Sequence, residues 1–141
     1  MISKPKPIPL AMIICDTVIE DKKTGKKSLI GIFDNINSPV APCVHSRLNI
    51  FVSLTEGIGQ YVGKMRCVQS DTNAVIFENT GEMIFKDRHQ RIEFNFELYS
   101  LRFPEFGEYR FDFFCDDQPI IGRKFNVIKR QQDPNQPPEE T

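Results

Sequence analysis

Apolar and polar side chains alternate along much of this chain with a period of two residues, which is the period of a β-strand. The pattern is clearest at 47–54, "RLNIFVSL", where one face carries Leu48, Ile50, Val52 and Leu54. It recurs at 91–98, "RIEFNFEL", where one face carries Ile92, Phe94, Phe96 and Leu98. A third segment, "EYRFDFFCD" at 108–116, alternates until Phe114 interrupts it. These segments predict three strands with one buried and one exposed face.

Five further strands are predicted where the alternation is weaker, at about 9–19, 27–34, 61–68, 74–85 and 120–128. Glycine-containing turns such as "KKTGKK" and "TEGIGQ" separate several of them. No stretch of a dozen residues has the helical spacing that the crossovers of a parallel sheet would need. We therefore predict an all-β fold, an antiparallel β-sandwich of about seven to eight strands.

The domain organisation follows from length and composition. With 141 residues the chain has room for one hydrophobic core, and we predict a single β-sandwich domain over 8–129 after an N-terminal extension over 1–7. The segment 130–141, "RQQDPNQPPEET", is polar and proline-rich. It has too little apolar surface to offset its ordering entropy, so we expect a disordered tail.

The segment "FPEFGEYRFDFF" at 103–114 raises the question of whether its aromatic residues form a binding surface or a folding device. The order of Gly107, Tyr109 and Phe111 resembles the tyrosine corner of immunoglobulin-like sandwiches. In that corner the tyrosine hydroxyl bonds to backbone a few residues upstream. The resemblance favours a folding device and implies an immunoglobulin-like sandwich.

Two proline-bearing connections, 37–46 and 100–107, are predicted as loops, and loops are where a sandwich usually places its function. The candidate binding residues on them are Asn37, His45, Arg102, Phe103 and Phe106, with Phe103 and Phe106 expected as an exposed pair. If all strands follow one another in sequence, the two loops meet at one end. In an immunoglobulin-like order, the first loop would instead join the turn at 116–118.

Charge and the N-terminal segment bear on location and partners. Eighteen basic and 19 acidic residues give a net charge of -1, which favours neither nucleic acid nor an anionic membrane. The apolar run "IPLAMIIC" is short and lacks a cleavage pattern, and nothing approaches the roughly 20 apolar residues of a membrane span. We expect a cytoplasmic protein with no membrane partner. Its four cysteines are then expected to be thiols, mostly in the core.

Residues that could carry chemistry are few. Cys43-Val44-His45 lacks the second ligand pair of a structural zinc site, and Asp116-Asp117 reads more simply as a turn than as a calcium site. Nucleophile-elbow, P-loop and dinucleotide motifs are missing from the sequence. We therefore expect no catalytic activity, no cofactor and no metal.

Three segments in order, from "PLAMIICDTV" through "LIGIFDNI" to "FPEFGEYRFDFF", resemble a family of small bacterial proteins of unknown function. The resemblance implies a fold and a bacterial origin, and no activity. We therefore expect a non-catalytic protein-interaction or structural accessory module that binds a protein partner or itself by loop contact or strand addition. The alternative is a small-ligand or calcium-binding β-sandwich.

Overall fold

The computed structural model describes residues 4–131, which form nine strands and two sheets. In chain order the strands are β1 (Ile8–Glu20), β2 (Lys27–Ile32), β3 (Asn35–Ser38), β4 (Cys43–Thr55), β5 (Gly59–Gln69), β6 (Val75–Phe85), β7 (Ile92–Phe103), β8 (Gly107–Cys115) and β9 (Gln118–Lys129). The four-stranded sheet has the order β2-β1-β4-β7, and the five-stranded sheet has the order β3-β9-β8-β5-β6.

This arrangement is an immunoglobulin-like sandwich, which confirms the predicted fold class. Strands β4 and β7 pair in one sheet, and β5, β8 and β9 share the other, as strands B and E are divided from C, F and G in immunoglobulin domains. The prediction missed β3, whose four residues are too few to show a period. Because β3 pairs with β9 in parallel, the expectation of purely antiparallel pairing is wrong there.

The core lies between the sheets, where the predicted apolar faces meet. Leu48, Ile50, Val52 and Leu54 are fully buried. Phe114, which interrupts the apolar–polar pattern in the sequence, lies on the outer face in step with the alternation of β8, with Lys64 and Arg66 each 4.9 Å from its ring. The register of β8 against β9 shifts between Phe113 and Phe114, where β9 contains one additional residue, Ile120.

A hairpin covers the outer face of the four-stranded sheet, which the alternation did not predict. Strand β1 pairs with β4 only as far as Cys15. Beyond it the Asn49 side-chain amide donates a 2.8 Å hydrogen bond to the Asp16 carbonyl. Lys27 Nζ, on β2, donates a 3.0 Å bond to the Glu93 carbonyl of β7, the opposite edge of the same sheet. The β1–β2 hairpin therefore crosses that outer face. Residues 48–54 of β4 are buried on both sides, because the outward-facing Asn49, Phe51 and Ser53 each have under a tenth of their surface exposed.

The two ends of the sandwich carry different connections. Cys43 at the start of β4 pairs with Phe103 at the end of β7, so the connections 39–42 and 104–106 lie at the same end. The β8–β9 turn at 116–117 lies at the opposite end, so the alternative that joined it to the first loop is wrong. Strand β1 begins beside Thr55 at this second end, whereas β9 ends beside Ser38 at the first.

Candidate functional site

The aromatic segment 103–114 is a folding device, as predicted. Tyr109 is fully buried, and its hydroxyl donates a 2.6 Å hydrogen bond to the Glu105 carbonyl and accepts a 3.2 Å bond from the Glu105 amide. Gly107 has a φ of 134°, which favours glycine. Burial raises the pKa of the Tyr109 phenol. These contacts form the tyrosine corner.

Phe103 belongs to this core, so its predicted exposure is wrong. It is fully buried, with its ring centroid 5.0 Å from that of Tyr109 and 5.6 Å from that of Phe125. The reason lies at Ser100, whose φ of 52° interrupts the strand geometry. Both Leu98 before it and Leu101 after it are buried, so the alternation changes phase and Phe103 points inward. Pro104 marks the end of the strand rather than the middle of a loop.

The other four candidate residues do not form one site. Asn37 and Arg102 are exposed, but they lie on strands of different sheets, β3 and β7. His45 lies within β4, and Phe106 lies on the short turn but packs against the core. The two predicted long loops are wrong, because the connections contain only residues 39–42 and 104–106.

His45 is partly buried, and both of its ring nitrogens are shielded from solvent. Its ring lies 5.7 Å from that of Phe33, and neither ring nitrogen makes a hydrogen bond of ordinary geometry to the described residues. Burial lowers the pKa of His45, although the Asp16 carboxylate and the nearby backbone of Arg47 oppose this shift. These surroundings therefore disfavour the protonated form of His45.

The acidic turn does not gather a set of cation ligands. Asp116 and Asp117 both have positive φ, 48° and 65°, as a two-residue hairpin turn of type I′ requires. Lys4 pairs with Asp116 at 2.8 Å and, with the Val62 amide, lowers the pKa of its carboxyl. Lys64 lies 3.3 Å from Asp117. Among residues 4–131, no three His, Cys, Asp or Glu side chains converge as a metal site would require.

A different feature, a groove between the edges of the two sheets, offers space for a ligand. Phe94 and Phe96 of β7 pack over Phe113 of β8, with ring centroids 5.5 and 6.1 Å apart. Strand β6 lies two strands beyond β8 in the five-stranded sheet and so extends past β7. The inward positions of β5 are buried, whereas Gly81 on the inner face of β6 is exposed and Met83 half-exposed. The inner face of β6 therefore has no strand above it in the described chain.

The groove has a volume of about 370 Å³ and an apolar lining. Its floor is the directly paired Gly63 and Gly81. A Cβ atom at Gly63 would lie only 3.1 Å from the ring of Phe113, whereas one at Gly81 would meet nothing within 4 Å. The apolar side chains around it are Met83, Ile84, Ile92, Phe94, Phe96 and Phe113. Glu82 is its one ionisable residue among those the structure describes.

One side of the groove is an open strand edge. In residues 4–131, β7 pairs with no strand except β4, so the outer row of its backbone N–H and C=O groups has no strand beside it, although the Glu93 carbonyl accepts a 3.0 Å bond from Lys27 Nζ. From 92 to 98 the edge has no proline, and its register against β4 does not shift. Prolines and bulges are devices by which proteins commonly protect edge strands, and this part of β7 has neither.

One signal for the groove is present in the sequence. Glycine inside a strand pattern often marks a place where another group approaches closely, and Gly63 and Gly81 both interrupt predicted strands. Their pairing across β5 and β6 depends on register and is visible only in the structure.

Comparison with known proteins places the chain in a family. Residues 10–128 match a family described as being of unknown function (DUF6941), so this immunoglobulin-like sandwich belongs to that family. Among curated proteins there is no match. Two crystal structures of a β-glucosidase from Listeria innocua, with isofagomine and with glucose, are 11% and 13% identical with TM-scores of 0.43 and 0.42. Each match covers 67% of this chain and only 15% or 14% of the enzyme. Within the described part, no helix is long and apolar enough to cross a bilayer.

Proposed function

We propose that this protein is a non-catalytic, cytoplasmic interaction module of bacterial origin, and that it binds an extended segment of a partner protein as an added strand beside β7. The observation that carries the proposal is the coincidence of an open edge and an uncovered apolar surface. Strand addition would use both features. Main-chain hydrogen bonds to the edge provide affinity, and alternate side chains of the added strand enter pockets on the apolar surface.

The geometry supports β7 over β6 as the receiving edge. A strand beside β7 would lie above the inner face of β6, and its inward side chains would contact Gly81 and Met83. A strand beside β6 would have no opposing strand above it. The first arrangement buries more apolar surface, and apolar burial is the main source of favourable free energy in association.

The test begins with the intact protein and a phage-displayed library of random nine-residue peptides. An enriched peptide is then synthesised in two forms, N-methylated on its odd or on its even amides. Because successive N–H groups of a strand point to opposite sides, only one set can pair with β7. We expect one methylated form to lose binding and the other to retain it. Equal binding of both forms, or no enriched peptide, would refute strand addition.

Hydrogen exchange locates the contact on the protein. Binding of the unmodified peptide should slow amide exchange within 92–98 while leaving exchange on the β2 edge unchanged. Slowed exchange on β2 alone would contradict the assignment to β7.

A second candidate function is the binding of a small apolar ligand. The groove volume of about 370 Å³ lies in the lower part of the range for small-molecule pockets, roughly 300–1,000 Å³. Screening a library of aliphatic and aromatic fragments by NMR distinguishes the two functions. Fragment binding that perturbs Gly81 and Phe96, from a protein that enriches no peptide, would favour this candidate.

A further inference from the structure

The groove also constrains the identity of the strand that could occupy it, and this inference rests on the proposed function. We infer that the occupant is a single extended segment of another polypeptide that places a large apolar side chain over Gly81. Gly81 is then the residue that determines which side chain the groove accepts.

Residues 132–141, "QDPNQPPEET", contain no large apolar side chain, so this segment does not carry the apolar group that the groove accommodates.

A second copy cannot supply its own β7 in antiparallel pairing. In each copy β6 extends one strand past β7, above which the added strand would lie. If two β7 strands paired antiparallel, both five-stranded sheets would lie on the same side of the joint sheet, and the two β6 strands would collide. The extension of β6 thus admits one isolated strand and excludes an antiparallel β7 dimer.

The outer face of the added strand would lie beside the charged outer face of β7. On the outer face of β7, Glu93 is paired with Arg91 at 2.7 Å and Glu97 with Arg47 at 3.1 Å. Cross-strand neighbours on this face would lie about 4.5–5.5 Å away. The occupant therefore needs polar residues on alternate positions and a large apolar residue at the position above Gly81.

Gly81 allows a direct test because a side chain can be added there without strain. Its φ is not in the left-handed region, and a new Cβ would meet open space. Gly81→Val should therefore fold, and the β-propensity of valine favours the strand. Thr80→Val is the matched control, because it places the same side chain one residue away on the opposite, outer face.

The probe is the enriched peptide with Ala, Val, Leu or Phe at its central inward position, measured by fluorescence anisotropy. On the unmodified protein and on Thr80→Val we expect affinity to rise from Ala to Leu or Phe by a factor of about ten or more, with each factor of ten equal to about 1.4 kcal/mol. On Gly81→Val this dependence should disappear, and the Leu and Phe peptides should bind at least about tenfold more weakly.

Other outcomes distinguish the role of Gly81 from strand addition itself. A flat guest series on the unmodified protein, or full retention of affinity by Gly81→Val, would overturn the role of Gly81 even if the N-methylated peptides still support strand addition. Equal binding of both N-methylated forms would remove the proposed function itself. If Gly81→Val melts lower than Thr80→Val, Gly81→Ala takes its place, and an unchanged Phe-to-Ala ratio there would count against the inference.

Discussion

Replacing Tyr109 with phenylalanine tests the tyrosine corner with a change of one oxygen atom. The variant keeps the ring, which packs 5.0 Å from Phe103 and 5.7 Å from Phe125, so no cavity forms. It removes the hydroxyl that donates to the Glu105 carbonyl at 2.6 Å and accepts from the Glu105 amide at 3.2 Å. The experiment therefore isolates the hydrogen bonds that hold the β7–β8 connection.

The expected loss follows from those two bonds. A protein hydrogen bond contributes about 0.5–1.5 kcal/mol net to stability, so losing both costs about 1–3 kcal/mol. Glu105 is exposed and water can partly replace the hydroxyl, which places the expectation near 2 kcal/mol. With a urea slope of about 2 kcal/mol/M, the unfolding midpoint should fall by about 1 M.

The other two tyrosines of the chain provide the comparison. Tyr61 is buried, and its hydroxyl donates to the Pro5 carbonyl at 2.6 Å and accepts from the Ile58 amide at 3.1 Å, so Tyr61→Phe should lose a similar amount. Tyr99 is 62% exposed, and its hydroxyl contacts the exposed carboxylate of Glu97, so Tyr99→Phe should leave the urea midpoint unchanged. If Tyr109→Phe shifts the midpoint no more than Tyr99→Phe does, the corner does not stabilise the fold.

Three further predictions concern His45, the thiols and Phe103. Because the pKa of His45 is lowered in the folded state, the unfolded chain binds more protons than the folded protein as pH falls through about 6.5, and stability should decrease below that pH. The urea midpoints measured at pH 7.5 and at pH 5.5 should therefore differ less for His45→Phe than for the control His89→Gln, whose side chain is exposed. All four cysteines are buried, and burial raises the pKa of Cys67 and raises that of Cys115 to about 12. A chromogenic thiol reagent should therefore label none of them in the folded protein at pH 8 and all four in urea. Rapid labelling without denaturant would contradict this. Phe103→Ala should cost about 3–5 kcal/mol, whereas Arg102→Ala at the neighbouring exposed position should leave the midpoint nearly unchanged, and equal shifts would show that Phe103 is not in the core.

The sequence was sufficient for the fold class because the alternation of apolar residues is a direct consequence of strand geometry. It located the inward faces of β4 and β8 and the tyrosine corner, since each depends on residues close together in the chain. It failed at Phe103, which the proline-bearing segment 100–107 placed on a loop: β7 continues to Phe103, and the left-handed Ser100 changes the phase of its alternation. Pattern reasoning assumes an unbroken period, and Ser100 carries no sequence mark of its conformation.

The groove could not be predicted from the sequence, for a different reason. The groove arises because the five-stranded sheet extends past the four-stranded one, and strand order is a property of long-range pairing. The same holds for the β1–β2 hairpin, whose position over β4 is fixed by contacts such as Lys27 with Glu93, 66 residues apart. The prolines that predicted two long loops do lie at connections, but these are the short turns 39–42 and 104–106, at the end of the sandwich opposite the β8–β9 turn.

The placement of the first and last strands at opposite ends of the sandwich has a mechanical consequence. A pulling force applied at the start of β1 and the end of β9 acts along the strand axes. The β1–β4 ladder from Ile8 to Cys15 lies perpendicular to that force, so its hydrogen bonds are stretched together rather than broken one after another. Resistance to pulling is governed by the unfolding rate rather than by equilibrium stability. A domain held in this direction would transmit tension through both sheets, and the first strand would yield by sliding along β4.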